Sequence, residues 1–527
     1  MKTYLSPTLT VMTMLCLMLV MFGCGGSGSS TSSNTTSVSV SGTVLAGPAN
    51  GARVTVKTTA GAVVAGPATT AADGSYTIDI PAASLVSDLI FEASGGTFPD
   101  EATTTAGVPM ATLTAHTAAG SLASGSHVTI DPSSTIVQKL VAGGRSKSAA
   151  DSVFAAAFGY TPDCSVKPAF ATMSSASTTA QRLAGLRAAA FSQMTKDMGL
   201  APDKQFEVIQ ALADDLSDGA MDGLKTGGTA VTTASGIPVP ADMASHFACA
   251  LMTFQTSPLN KSKLTPDKMV VPFVTKTLTS SYAVEYVPGM KAAALGKTTF
   301  KIKLSNLGDG SAATGKNITL VPKMYMATMS HSAPVDTVVE SATPGTYDCA
   351  VFYQMASGPG MGVWELKVSI GGESAIFYPP VAMSMGTTAR ATLKGVNDML
   401  GSTATKRTYN LFNDGSTFGM SSTFKLFIAA SDDIMMMKFP TVSVNSILTG
   451  LTVNTMTVEA SADNGATWNS LTDNGSGHWS VAGLTGLATG GTIKVRVTIN
   501  GEQKTADGNA AIAGTNDFAT FTVVAGM

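Results

Sequence analysis

The segment from residue 322 to residue 331, PKMYMATMSH, concentrates donors that soft metal ions prefer. It carries three methionines and one histidine, which are Met324, Met326, Met329 and His331. Thioether sulfur is soft and uncharged and favours Cu(I), and a neutral imidazole completes a three-coordinate set. On a straight strand the last two donors lie roughly 16 to 25 Å beyond the first, so the chain must fold back, as Ala327-Thr328 allows. The segment predicts a Cu(I) site, and the alternative is that the methionines fill an adaptable apolar core.

A second candidate for chemistry is Cys24, near the start of the chain. An apolar run from Val11 to Phe22 is short for a transmembrane helix, and it ends at Gly23-Cys24. A small residue directly before a cysteine is typical of a cleavage site for a signal peptidase. We therefore expect a signal peptide over residues 1–23 and a lipid on Cys24. The alternative is an ordinary secretory signal with an incidental cysteine.

The N-terminal residues resemble the lipobox of bacterial lipoproteins, although Met21 and Phe22 occupy positions where that pattern has leucine and a small residue. The resemblance implies a protein of the cell envelope, lipid-anchored to the outer or the cytoplasmic membrane and facing the periplasm or the cell exterior. The membrane is then its first partner.

The remaining cysteines have spacings that exclude some cofactors. The mature chain would keep three besides Cys24, namely Cys164, Cys249 and Cys349. No CxxC or CxxCH motif occurs, so structural zinc and covalent haem lack their usual spacing. Cys164 and Cys249 flank the helical region, and a disulfide between them would stabilise it by roughly 4 kcal/mol. Cys349 lies in a strand-like run and reads as a small buried residue.

Composition and motifs argue against an enzyme and against a nucleic-acid partner. Only 13% of the residues are charged and the formal net charge is −3, with no basic stripe. The sequence has no GxSxG, HExxH or P-loop motif, and its five histidines are scattered. We expect a non-enzymatic protein whose other histidines, such as His478, are surface or turn residues.

The first folded module is predicted to be a β-sandwich over residues 37–130. It follows a Gly/Ser/Thr-rich tether over residues 24–36, which lacks apolar side chains to bury. Three alternating runs, Val38–Val44, Ala52–Val56 and Ala72–Ile80, are bounded by Gly, Pro or Asp-Gly. Residues 41–44 (SGTV), 51–54 (GARV) and 70–78 (TAADGSYTI) resemble the carboxypeptidase-regulatory-like, transthyretin-type module. The resemblance implies a spacer or a carbohydrate contact.

The next module, residues 131–257, has helical periodicity and predicts a bundle of four to six helices. Its acidic segment Asp214–Asp222 lacks the alternating ligand ladder of a calcium loop, so we expect a helix end capped by Gly219 or Gly223. A linker over residues 258–284 follows.

Alternating runs then continue to the end of the chain and predict two immunoglobulin-like β-sandwiches, over residues 285–390 and 391–527. The fold class is therefore mainly β and multidomain, with an N-terminal β-sandwich, a central α-helical bundle and two C-terminal immunoglobulin-like β-sandwiches. Within the last module, Met435–Met437 reads as packing plus exposure, and Ser461–Trp468 fits the Asp-box pattern of a stabilised hairpin turn.

The methionine segment and the strands after it resemble the YtkA-like domain, which is related to the FixH family. The resemblance rests on residues 322–331, Gly345-Thr-Tyr347, Met355 and the GVWELKV run from Gly362 to Val368. It implies an exported role connected with copper. Met355 would be a supplementary ligand and Trp364 could lie against the metal.

Together these features predict a membrane-tethered extracytoplasmic lipoprotein, non-enzymatic, with Cu(I) as its candidate cofactor. An envelope protein or a polysaccharide is a further candidate partner. The alternative is a surface scaffold, adhesion or carbohydrate-contacting lipoprotein without a metal site.

Overall fold

The computed structural model describes residues 36–401, 404–417, 422–484 and 491–523. The described residues from Ser37 onwards form one compact unit. Cys24, the predicted signal peptide and nearly all of the tether lie outside the described residues. This compact unit is mainly β and multidomain, as the sequence predicts.

The N-terminal module packs two small sheets face to face. Its strands are β1 Ser37–Val44, β2 Arg53–Thr58, β3 Val63–Thr69, β4 Ser75–Pro81, β5 Leu89–Ser94, β6 Thr97–Phe98, β7 Val108–Pro109, β8 Leu113–Thr117 and β9 His127–Ile130. One sheet has the order β4-β1-β9 and the other the order β3-β2-β5-β8. Alternation along β4 buries Tyr76, Ile78 and Ile80 and leaves Thr77 and Asp79 exposed. The predicted sandwich is therefore present.

Helices follow directly on β9. They are α1 Pro132–Ala142, α2 Lys147–Phe158, α3 Thr179–Asp197, α4 Gln205–Asp215 and α5 Met243–Thr256, with the short hairpin β10 Leu224–Lys225 and β11 Thr229–Ala230 before α5. Capping boxes at Asp131/Ser134 and Thr178/Gln181 satisfy backbone donors at the starts of α1 and α3. Among the described residues, no helix is both long and apolar enough to cross a membrane.

The third module is a two-sheet sandwich. Its strands are β12 Lys276–Leu278, β13 Tyr282–Pro288, β14 Gly296–Asn306, β15 Ile318–Tyr325, β16 Ser330–Ser332, β17 Val335–Glu340, β18 Thr346–Tyr353, β19 Val363–Ile370 and β20 Glu373–Phe377. The sheets have the orders β12-β13-β14-β18-β17 and β16-β15-β19-β20. Strand β12 and the start of β13 fall within residues 258–284.

The last module has the same two-sheet plan. Its strands are β21 Arg390–Met399, β22 Lys406–Asn413, β23 Thr423–Ala430, β24 Ile447–Leu448, β25 Leu451–Thr452, β26 Met456–Ser461, β27 Asn469–Ser470, β28 Thr472–Gly475, β29 His478–Ala482, β30 Thr492–Ile499, β31 Glu502–Gln503 and β32 Ala519–Thr522. One sheet is β21-β22-β23-β29-β28, and the other is β27-β26-β30-β31 with β32 also paired to β30.

A half-buried ion cluster joins the two C-terminal modules. His478 contacts Asp336 of the third module through Nε2 and Asp414 of the fourth through Nδ1, each at 2.8 Å. Lys297 Nζ lies 3.4 Å from Asp336 and also pairs with Asp414. His478 is the first residue of β29 and its side chain is half-buried, so the expectation of a surface or turn residue is wrong.

The charge on His478 should contribute to the stability of this joint, by which we mean the contact between the two C-terminal modules. Hydrogen bonds to Asp336 and Asp414 raise the pKa of His478 from 6.5 to about 9. Its contribution is therefore complete below pH 6.5 and is lost as the pH rises through about 9. We expect His478→Gln to lower the free energy of unfolding by about 1–3 kcal/mol at neutral pH, measured by denaturant titration, with a smaller difference above pH 9.

The matched control is His127→Gln, because burial lowers the pKa of His127 to about 4 and that imidazole is already neutral. Its effect on stability should not change between pH 7 and pH 10. A His478→Gln effect that is equally constant over this range would contradict a charged joint.

Candidate functional site

The methionine segment folds back into a hairpin formed by β15 and β16. The amide of Met326 donates to the carbonyl of Met329 at 3.0 Å, so Ala327-Thr328 forms the turn. The register pairs Met324 with His331 and Tyr325 with Ser330. The predicted reversal is confirmed, and it removes the separation that a straight strand would impose.

The hairpin register puts two of the predicted donors, Met324 and His331, on one face. Residues directly opposite each other on antiparallel strands point to the same side, with Cβ atoms about 4.5–5.5 Å apart. Met324 therefore shares a face with His331, and also with Trp364, which is its partner on β19. All three side chains are at least 98% buried. The His331 and Trp364 rings meet edge to face with their centroids 5.2 Å apart.

His331 has the hydrogen bonding of a metal-binding imidazole. Its Nδ1 lies 2.8 Å from the carbonyl oxygen of Ser332. A carbonyl oxygen only accepts, so Nδ1 carries the proton and donates. Burial lowers the pKa of His331, so the ring is neutral at pH 7 and Nε2 has a free lone pair. This Nε2 is buried and has no hydrogen-bond partner among the described residues.

The predicted methionines divide into core and surface positions. Met326 and Met355 pack against the same core as Met324, and Met355 also accepts a hydrogen bond from Trp364 Nε1 through its backbone oxygen at 2.9 Å. Met329 does not join them, because 47% of it is exposed at the hairpin turn. The structure adds Met361 to this core. Met361 was not among the donors predicted from the sequence, although its residue type and its position directly before Gly362 were signals.

The last module reaches the same hairpin. The carbonyl of Met436 accepts a hydrogen bond from the amide of Ser332 at 2.9 Å. Met435 and Met437 are 68% and 36% exposed. Met436 between them is half-buried, so the segment combines partial burial with exposure.

The cysteines are not arranged as a disulfide. Cys164, Cys249 and Cys349 are all free, so the predicted Cys164–Cys249 bond is absent from the structure. Burial raises the pKa of both predicted partners to about 12, and Cys249 is hydrogen-bonded to Tyr378 of the third module. The two thiols thus lie in different surroundings. Cys349 is 3% exposed, which confirms the prediction of a small buried residue.

The two other motifs are turns. Asp463 accepts hydrogen bonds from Ser461 Oγ at 2.6 Å and from the Thr467 amide at 2.9 Å, as expected for an Asp-box hairpin. In the acidic segment, Asp215 accepts from the backbone amides of Asp222 and Gly223. Among the residues that the structure describes, no group of three His, Cys, Asp or Glu side chains could hold a metal ion.

Comparison with known proteins gives no family for this chain. No protein-family model and no curated protein matches it. Among solved structures, a chimeric titin Z1Z2 functionalized with a KLER exogenous peptide from decorin is 11% identical and covers 42% of this chain and 91% of its own, with a TM-score of 0.12. Domains 5-6 of the S-layer protein SbsC are 18% identical and cover 47% and 98%, with a TM-score of 0.15. The resemblances to the YtkA-like and carboxypeptidase-regulatory-like modules stay predictions.

Gly362 allows the hairpin and β19 to approach each other. Its φ is +139°, and a Cβ there would lie 2.3 Å from the Tyr325 oxygen and 3.2 Å from Met324 Cε. We expect Gly362→Ala to be destabilising, because it combines backbone strain with overpacking of about 1–3 kcal/mol. Denaturant unfolding of the full chain measures this effect.

Gly358→Ala is the matched control, since Gly358 also has a positive φ but has no atom within 4 Å of the added Cβ. Both variants share the backbone strain, and only Gly362→Ala adds a steric clash. Equal losses of stability would contradict the close approach at Met324.

Proposed function

We propose that this protein is an extracytoplasmic, lipid-anchored, non-enzymatic lipoprotein whose third module binds Cu(I). The observation that carries the copper proposal is the pairing of Met324 with His331, whose buried Nε2 has a free lone pair. Met326, Met329 and Met355 are the additional sulfur donors. These soft donors would hold the copper ion for storage or transfer.

The arrangement of His331 supports a metal ligand better than a core filler. An imidazole nitrogen buried without a partner is costly, and buried polar groups are usually hydrogen-bonded. The Nδ1 hydrogen bond to a backbone carbonyl is the contact that commonly orients a metal-ligating histidine. Methionine packing alone explains neither feature of the histidine.

The nature of the donors favours Cu(I). Neutral thioethers provide no hard oxygen cage for Ca²⁺, and Zn²⁺ prefers thiolate, imidazole or carboxylate. Met329 is exposed and Met326 is half-buried at the turn that follows the buried Met324. They offer sulfur donors along a route from the surface.

A surface scaffold is the second candidate function. It is supported by the joint between the C-terminal modules, where Phe352 stacks on Phe427 with centroids 4.0 Å apart. A joint of this kind suits a rigid spacer that presents a module to an envelope protein or a polysaccharide. This function needs no metal.

A competition titration of the full chain with a Cu(I) chelator tests the metal site. We expect Met324→Leu/Met326→Leu/Met329→Leu to bind Cu(I) at least about 10–100-fold more weakly, because leucine keeps the apolar volume and removes the sulfur. Zn²⁺ and Ca²⁺ should compete poorly in the wild type.

The control replaces the same number of methionines elsewhere, as Met290→Leu/Met383→Leu/Met385→Leu. These three are 104%, 60% and 92% exposed and lie outside the hairpin. Their loss should leave the affinity unchanged. Equal affinities of the hairpin variant and the wild type would remove the copper proposal and leave the scaffold.

The lipid anchor is tested at Cys24, which lies outside the described residues. We expect mass spectrometry of the mature N-terminal peptide to find acylated Cys24, because Gly23-Cys24 ends the apolar run. Cys24→Ala should release the protein from membranes, whereas Cys164→Ala should not. An unmodified Cys24, or a mature start at another residue, would contradict the assignment.

A further inference from the structure

A cavity of ≈ 190 Å³ with a partly polar lining lies in the helical module and shares no residue with the methionine hairpin. It is bounded by the start of α1, by the connection between α2 and α3, and by α3 itself. Its polar lining includes Asp131, Ser133, Tyr160 and Arg187. At the ≈ 30 Å³ that each water occupies in the liquid, the cavity has room for at least about six non-hydrogen atoms.

The guanidinium of Arg187 lines the cavity, and no described residue accepts a hydrogen bond from it. Its central carbon lies 3.9 Å from the centre of the Tyr160 ring, so the group is held by a cation–π contact. Burial lowers the pKa of Arg187. Within the described part of the chain, no hydrogen bond or ion pair uses its five donors. A half-buried guanidinium in this state has its planar fork available for a carboxylate.

Two hydroxyl groups next to this guanidinium offer a further donor. Ser133 Oγ and Tyr160 OH lie 2.7 Å apart. Only one of their two protons is used in that contact, so the other hydroxyl can donate to a ligand. Ser133 also lies in the first turn of α1, where the helix dipole favours a negative charge.

Asp131 adds one acceptor to the same cavity. Its Oδ1 accepts the backbone amide of Ser134 at 2.7 Å and caps α1. Although Asp131 and Arg187 both line the cavity, they are too far apart for an ion pair within 4.0 Å. A ligand with a carboxylate at one end and a hydrogen-bond donor next to it can bridge them.

We propose that this cavity binds a small carboxylate with a hydroxyl or ammonium group on the adjacent carbon. The carboxylate pairs with Arg187 and accepts from the Ser133–Tyr160 hydroxyl pair, and the adjacent donor faces Asp131. The site is independent of the copper proposal, since it shares no residue with the hairpin.

Saturation-transfer NMR on the full chain in detergent tests the site with three probes. Lactate supplies the hydroxyl form, alanine supplies the ammonium form, and propionate lacks the adjacent donor. We expect lactate or alanine to bind, with the preferred probe identifying the form, and propionate to bind several-fold more weakly. Arg187→Met should weaken the preferred probe by ~10-fold or more.

Arg182→Met is the control on the same helix, because Arg182 donates to Ser177 Oγ and does not line the cavity. The Arg182→Met variant should bind the preferred probe as tightly as the wild type does. If Arg187→Met does not fold by circular dichroism, Arg187→Lys replaces it, and it should weaken binding because it loses the fork. Binding of neither lactate nor alanine, equal binding by the folded Arg187 variant, or propionate binding as tightly as the others would overturn the proposal.

Discussion

Apolar contacts that cross module boundaries are the interaction on which the described structure depends. One continuous core contains strand residues such as Val40 and Phe91, helix residues such as Phe158, and Tyr378 of the third module. The third and fourth modules meet through Phe352, Phe412 and Phe427. Each module therefore buries part of its apolar surface against the next one, and the candidate copper hairpin is held between two of them.

Buried and half-buried charges at the module contacts are also paired. In a chain with only 13% charged residues, the half-buried charges at the joint are paired, because an isolated charge there would be costly. The same holds inside the last module, where the fully buried Arg407 pairs with Asp398 and Asp432. Arg187 has no such ion pair among the described residues. Its cavity is therefore our candidate ligand site outside the hairpin.

Burial also decides the chemistry of the methionine hairpin. The chain also has surface methionines, such as Met385. They are exposed to solvent, whereas Met324 is buried. What distinguishes the hairpin is a neutral imidazole whose Nδ1 is fixed by the Ser332 carbonyl. The contact from Met436 of the last module holds the neighbouring strand edge. The site thus depends on both C-terminal modules.

Local pattern was enough to predict the fold class and the reversal of the chain within the methionine segment. Period-two alternation and helical periodicity depend on neighbours a few residues apart, as in β19, where the buried Leu366 and Val368 flank the exposed Lys367. The tautomer of His331, the ion cluster and the Arg187 cavity came only from the tertiary structure. His478 and Asp336 are 142 positions apart, and no local period carries information about such a contact. Burial is likewise set by the packing of distant segments. It shifts the pKa values, and it leaves Nε2 of His331 without a partner among the residues that the structure describes.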